Sequence, residues 1–131
     1  MGVTCLLDTH ALLWLIGEPE RVPAGTRDTL ALESTRILVS AVSALEIATK
    51  HRIGKLPHGG VVAATWGDRL EDLDAVELPV TARHSLLGGS LEWDHRDPFD
   101  RLLVAQALVE NIPLVSADAV MRGMPGLQLL W

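Results

Sequence analysis

The chain has 131 residues, 48% of them hydrophobic, with 17 acids against 11 Lys plus Arg and a single cysteine. A chain of this length buries enough surface to fold as one domain over residues 1–131 without disulfides or a structural metal, and one cysteine excludes an internal disulfide. The net charge of −6 argues against holding nucleic acid by bulk electrostatics, and no apolar run approaches the ~20 residues that span a bilayer.

Val3-Thr4-Cys5-Leu6-Leu7 is a short apolar run with β-branched members and reads as a buried strand. Cys5 in that run reads as a small buried thiol, and a soluble protein of the reducing cytoplasm is expected. Asp8-Thr9-His10 then turn into a helix that Gly17 and Pro19 end. A second helix is expected over 23–34, a second buried strand at Ile37-Leu38-Val39, and a helix from Ala41 to about His51, capped by Ser40 and closed by Gly54. Gly59-Gly60 begin a helical stretch to about Leu70, and Ala75-Val76-Glu77-Leu78 is a third, weaker strand. Thr81 starts a short helix ending at Gly88-Gly89. Asp97-Pro98 places a capping acid before a proline at the first helical position, and the spacing of Leu102, Leu103, Ala105, Gln106 and Val109 carries that helix to Asn111. Ile112 to Ser116 is the fourth strand and Leu127 to Leu130 the fifth. Continuous apolar strands alternating with helices predict an α/β fold with a parallel sheet of about five strands covered on both faces.

In open parallel sheets, functional groups collect beyond the carboxyl ends of the strands, where strand order reverses. That rule selects Asp8 after the first strand, Asp118 two residues after the fourth, and Asp97 and Asp100 in the first turn of the helix leading into it. Each of these acids taken alone also reads as a helix cap. Glu46 is different, being the only charged residue from Ile37 to Thr49 and sharing a helical face with Val42, Leu45 and Thr49. A carboxylate there is costly unless paired, protonated, bound to a cation or snorkelled to solvent. If its helix lies across the carboxyl end of the first strand, Glu46 faces Asp8. Several carboxylates in one cleft suit magnesium or manganese, which take hard oxygen ligands and activate water in phosphodiester hydrolysis.

The blocks Leu6-Leu7-Asp8-Thr9-His10, Val39 to Ile47, Asp97-Pro98-Phe99-Asp100-Arg101-Leu102-Leu103 and Leu114-Val115-Ser116-Ala117-Asp118 closely resemble the PIN-domain ribonucleases, and among them the VapC-type toxins of type II toxin–antitoxin pairs. The resemblance spans essentially the whole chain. It implies a three-layer α/β/α sandwich, and metal-dependent cleavage of cellular RNA with Mg²⁺ or Mn²⁺ by a homodimer that arrests growth. It also implies a cognate VapB-type antitoxin that lays a peptide, often bearing Arg, across the acidic groove. The family's metal-binding acids fall on Asp8, Glu46, Asp100 and Asp118. Asp97 is either a further, water-mediated metal contact or purely the cap. Ser116 matches a small hydroxyl residue that positions the last acid, and Thr9 and Ser40 fit hydroxyls beside the acids, though both also read as caps.

Lys50, His51, Arg52, Lys55, His95, Arg96 and Arg101 are candidates to hold an RNA backbone, most such charges being simply solvated. Arg101 adjoins Asp100 and reads either as a supporting site residue or as the partner of a neighbouring acid. His10 lies beside the first acid and reads first as a packing or capping residue. Trp93, in a polar stretch, is the tryptophan that reads as a base-stacking platform, and the helix around Leu12, Trp14 and Leu15 as an antitoxin surface. Two alternatives are weaker: a catalytically silent PIN-fold binding module, disfavoured by the complete acid set, and a phosphatase with Asp8 as nucleophile, which needs a second Asp where His10 stands.

Overall fold

Five apolar segments pair side by side in a computed structural model of the chain, which describes residues 2–131. They are β1 (Thr4–Leu7), β2 (Arg36–Ser40), β3 (Ala75–Leu78), β4 (Leu114–Val115) and β5 (Leu129–Leu130), all parallel in the order β3-β2-β1-β4-β5. Seven α-helices are described: α1 (Thr9–Gly17), α2 (Ala24–Ala31), α3 (Ala41–Arg52), α4 (Gly59–Ala64), α5 (Trp66–Asp72), α6 (Ala82–Ser90) and α7 (Pro98–Glu110). None of them is long and apolar enough to cross a membrane.

The central strands divide their side chains between two cores. Cys5, Leu7, Ile37, Val39 and Val115 face one layer with Ala11 and Leu12 of α1, Leu30 of α2, Val62 of α4 and Leu70 of α5. Leu6, Leu38 and Leu114 face the other, against Leu103, Val104 and Ala107 of α7. Because both faces are covered, the buried lengths of these central strands are almost wholly apolar, as expected of a parallel sheet. Burial pushes the Cys5 thiol up to about 11, which leaves it an unreactive filler.

Two joints fix the functional edge. Asp8 alone separates β1 from α1, and β2 runs into α3 with no loop at all, Ser40 ending the strand and capping the helix through Val42 N at 3.0 Å. Helix α3 therefore starts at the carboxyl edge of the sheet and passes over it, giving Val42 to one core and Ile47 to the other.

The structure differs from the sequence expectations in five places. The fifth strand is Leu129–Leu130, shorter than the expected Leu127 to Leu130. The stretch 59–70 is two helices, broken at Thr65, whose hydroxyl donates back to the Val61 carbonyl at 2.7 Å. The second helix is shorter than 23–34, and Pro19–Arg21 form a separate 3₁₀ turn before it. The fourth strand is reduced to Leu114–Val115 because Pro113 has no amide to give the ladder, although its carbonyl still accepts from Leu6 at 3.0 Å. Helix α6 does not stop at Gly88-Gly89 but runs through both to Ser90. Gly88 is there for contact: a Cβ would lie 3.3 Å from the Arg101 carbonyl and 3.5 Å from Ala105 Cβ on α7, whereas one on Gly89 meets nothing within 4 Å.

Substitution at these adjacent glycines is therefore expected to act in opposite directions. Gly88→Val should destabilise by about 1–3 kcal/mol through overpacking against α7. Gly89→Ala should stabilise by up to about 1 kcal/mol by restraining the unfolded chain. Urea unfolding midpoints of the two variants check both signs.

Candidate metal centre

The β1/β4 pair marks the place where strand order reverses, and Asp8 sits on it. Its amide donates to the Val115 carbonyl at 3.0 Å, and its Oδ1 accepts from Ala11 N at 2.7 Å as the cap of α1. Asp8 is thus both a cap and a buried acid, 5% exposed. Thr9 is not a cap. Its hydroxyl donates to Glu46 Oε1 at 2.6 Å, so at 2.9 Å from Ser43 Oγ it must accept, and a relay runs from Ser43 through Thr9 to Glu46.

Glu46 is buried, as its isolation on α3 suggested, but not on the face expected: Leu45 is 59% exposed, and the buried neighbours are Val42, Ser43 and Ile47. Its second oxygen, Oε2, accepts from Lys50 Nζ one turn further along. Helix α3 does cross the end of β1, because Thr9, the residue after Asp8, donates to Glu46 at 2.6 Å. The charge of Glu46 adds to the rise of the Asp8 and Asp100 carboxyls.

Asp97 caps α7 through Phe99 N at 2.8 Å and Asp100 N at 3.1 Å. The following acid, Asp100, accepts from His95 Nε2 at 2.7 Å. His95, Asp97 and Asp100 each offer a ligand atom within 4.8 Å of one another. Asp118 stands further out. It is exposed, its Oδ1 caps a short 3₁₀ turn at Val120 N, and it shares with Asp8, His10 and Trp14 a cleft of about 260 Å³. Ser116 stands near both acids: its hydroxyl accepts from the Asp118 amide at 3.1 Å and acts to lower the pKa of the Asp8 carboxyl. The structure thus brings Asp97 and Asp100 together with His95, sets Glu46 against Thr9 next to Asp8, keeps Asp118 at the rim, and makes Ser40, one residue past the Leu7–Val39 pair, a buried cap of α3.

Arg101 pairs with no acid. Its guanidinium donates to the carbonyls of Gly88, Leu91, Trp93 and His95 at 2.5 to 2.9 Å, tying down the loop between α6 and α7. That loop carries His95 onto Asp100, so Arg101 supports the site through the backbone. Trp93 is half-buried against the α7 core and 5.0 Å from the His95 ring, a packing group of the same loop instead of an open platform for bases. His10 is exposed and lines the clefts on both sides of the acids. The roles of His95 and Lys50 at the acids were not separable in sequence from those of other basic residues.

The family model of the PIN domain matches residues 5–127. The chain belongs to the PIN-domain family. No curated protein matches the sequence of this PIN domain. Among solved structures, it resembles a chain of VapBC2 from Rickettsia felis bound to a fragment of promoter DNA, with a TM-score of 0.70 at 17% identity, covering 97% of each chain. VapBC-1 from nontypeable Haemophilus influenzae matches with a TM-score of 0.67 at 14% identity, and a toxin–antitoxin complex from Klebsiella pneumoniae with 0.59 at 15%. Both likenesses cover 97% of this chain and 96% of the other. At these identities they establish the fold.

The donor set of this PIN domain suits a hard divalent cation. Carboxylate oxygens dominate it, and the lone thiol is locked in the core. Burial raises the Asp8 carboxyl above its ordinary 3.8, opposed by the Ser116 hydroxyl, the Ala11 amide and His10 and reinforced by Glu46. Burial likewise raises Asp100, opposed by His95 and reinforced by Asp97 and Glu46. Lys50 is lowered by burial, but its bond to Glu46 and the charges of Glu46, Asp97 and Asp100 outweigh that and raise it. Burial, reinforced by neighbouring carboxylates, thus disfavours the charged forms of Asp8 and Asp100.

A carboxyl raised in the folded state binds its proton more tightly there than in the unfolded chain. Its stabilising contribution is present at low pH and is lost as pH rises through the folded pKa. In chelator, Asp8→Asn, which keeps a capping side chain, should therefore melt a few degrees above the parent at pH 7, with the gap closing toward pH 4. Thermal melts of both proteins across that range check the prediction.

Proposed function

We propose that the chain is a single PIN domain acting as a metal-dependent endoribonuclease, the toxin of a type II toxin–antitoxin pair. The observation that carries this reading is the set of acids at this edge: Asp97 and Asp100 with ligand atoms within 4.8 Å of that of His95, and buried Asp8 followed by Thr9, which holds buried Glu46, with burial chiefly raising Asp8 and Asp100. In this reading Asp8, Glu46, Asp100 and Asp118 hold Mg²⁺ or Mn²⁺, with Asp97 alongside. A cation bound there supplies Lewis acidity to a phosphodiester and lowers the pKa of an attacking water. The chain's own groups orient the acids: Thr9 holds Glu46, the Ala11 amide holds Asp8, and His95 holds Asp100. Lys50 and Lys55 line the cleft beside Glu46 and offer positive charge to a backbone phosphate.

The proposed antitoxin partner has a matching surface. A cleft of about 670 Å³, lined mainly by apolar groups including Leu13, Trp14, Ile16, Leu56, Val61 and Val62, lies next to the acid cleft and shares His10 with it. An apolar peptide segment seated there can extend a guanidinium to the carboxylates, meeting the same demand for positive charge as a metal. Of the expected Leu12, Trp14 and Leu15, only Trp14 lines this cleft; Leu12 belongs to the core, Leu15 packs against it, and Leu13 and Ile16 take their place. A homodimer working in the cytoplasm completes the proposal.

Purified chain incubated with total cellular RNA and Mg²⁺ or Mn²⁺ should give discrete fragments. These should vanish in chelator and fall below detection for Asp100→Asn, a control for contaminating nucleases. A folded, antitoxin-free chain that leaves every RNA intact would count for a silent binding module instead.

A further inference from the structure

Lys50 is a cation that the chain itself brings to the acid site. It stands one helical turn after Glu46, donates to Oε2 while Thr9 holds Oε1, and lies in the field of Asp97 and Asp100. Its side chain is 30% exposed against 3% for Glu46, so the ammonium enters from the cleft mouth to meet a buried carboxylate. Both oxygens of Glu46 are thereby engaged by protein donors. His10 and Lys55 share the cavity of about 190 Å³ into which this pair opens.

A lysine stem reaches such a partner at the cost of side-chain freedom, and it swings back to solvent once a stronger cation takes the carboxylate. We propose that Lys50 is a built-in competitor of the divalent cation: its ammonium neutralises Glu46 in the metal-free chain, is displaced when the cation binds, and on release meets a substrate phosphate at the cleft mouth. Metal loading and substrate capture are coupled by one side chain, so the site presents this positive charge to phosphate only when the cation is in place. The inference rests on the nuclease reading, since it takes the acids to hold a divalent cation and the substrate to carry phosphates.

The distinguishing consequence is a pair of effects with opposite signs. Removing the lysine charge should tighten metal binding, because nothing has to be displaced, and weaken substrate capture. Mn²⁺ titration calorimetry on the full chain should show roughly tenfold tighter binding for Lys50→Met than for the parent, a typical size for coupled ligands. The Mn²⁺-induced rise in melting temperature should be larger for Lys50→Met as well, and at saturating Mn²⁺ its KM for RNA should rise several-fold. Lys50→Arg, which keeps the charge, should stay near the parent in Mn²⁺ affinity. Independently of any variant, the side-chain ¹⁵N signal of Lys50 in the parent should move toward that of an exposed lysine as Mg²⁺ is added. Unchanged or weaker Mn²⁺ affinity in Lys50→Met, or a Lys50 signal that stays put while the Asp100 amide responds to Mg²⁺, overturns the proposal. Failure of the parent to bind Mn²⁺ at all would instead bring down the nuclease reading on which it rests.

Discussion

Everything at the functional edge follows from the cost of holding carboxylates together away from water. Asp8 and Glu46 are nearly inaccessible, and Glu46 acts electrostatically on Asp8 and Asp100 alike. Taking such charges out of solvent costs several kcal/mol per ion after relaxation, on the order of a small domain's whole stability margin. The fold offsets this with directed donors: the Ala11 amide on Asp8, the Thr9 hydroxyl and Lys50 ammonium on Glu46, and His95 on Asp100. These leave Asp8 and Asp100 with carboxyls still raised, chiefly by burial, and the proposed divalent cation would answer that residual cost.

The sheet makes such crowding possible by allowing little slack between strand and helix. One residue joins β1 to α1, and β2 passes into α3 without a loop, so Asp8, Thr9 and Glu46 are placed by the register of two neighbouring strands. Asp100 arrives differently. It is set by the Asp97 cap at the start of α7, and His95 reaches it from a loop that Arg101 fastens through the carbonyls of Leu91, Trp93 and His95 and ties to Gly88 of α6.

Much of this was legible in the sequence because strands, caps and buried charges leave local signs. Asp8 after an apolar run, Asp97-Pro98 before a helical period, and Glu46 alone in an apolar stretch all stand where their chemistry suggested. The misreadings fall where the deciding contact is distant in sequence. Leu45 seemed part of the buried face of α3, yet only the path of that helix over the sheet edge exposes it. Gly88 and Gly89 read as a helix end because close approach to α7 has no local signature. Arg101 beside Asp100 invited a charge pairing, but its partners are neutral carbonyls, which any residue possesses. His95 and Lys50 were seen only as basic groups, since nothing in composition tells a residue that grips an acid from one that is solvated.

A divalent cation held by acids from four separate segments is the claim on which the functional reading stands. The direct measurement is an anomalous-scattering map from crystals of the chain grown with Mn²⁺. A peak bonded to carboxylate oxygens of Asp8 and Asp100, with the Lys50 ammonium drawn away from Glu46, is the predicted result. An acid cleft that is open to solvent in the lattice and carries no peak, or Mn²⁺ bound only elsewhere on the surface, would contradict it.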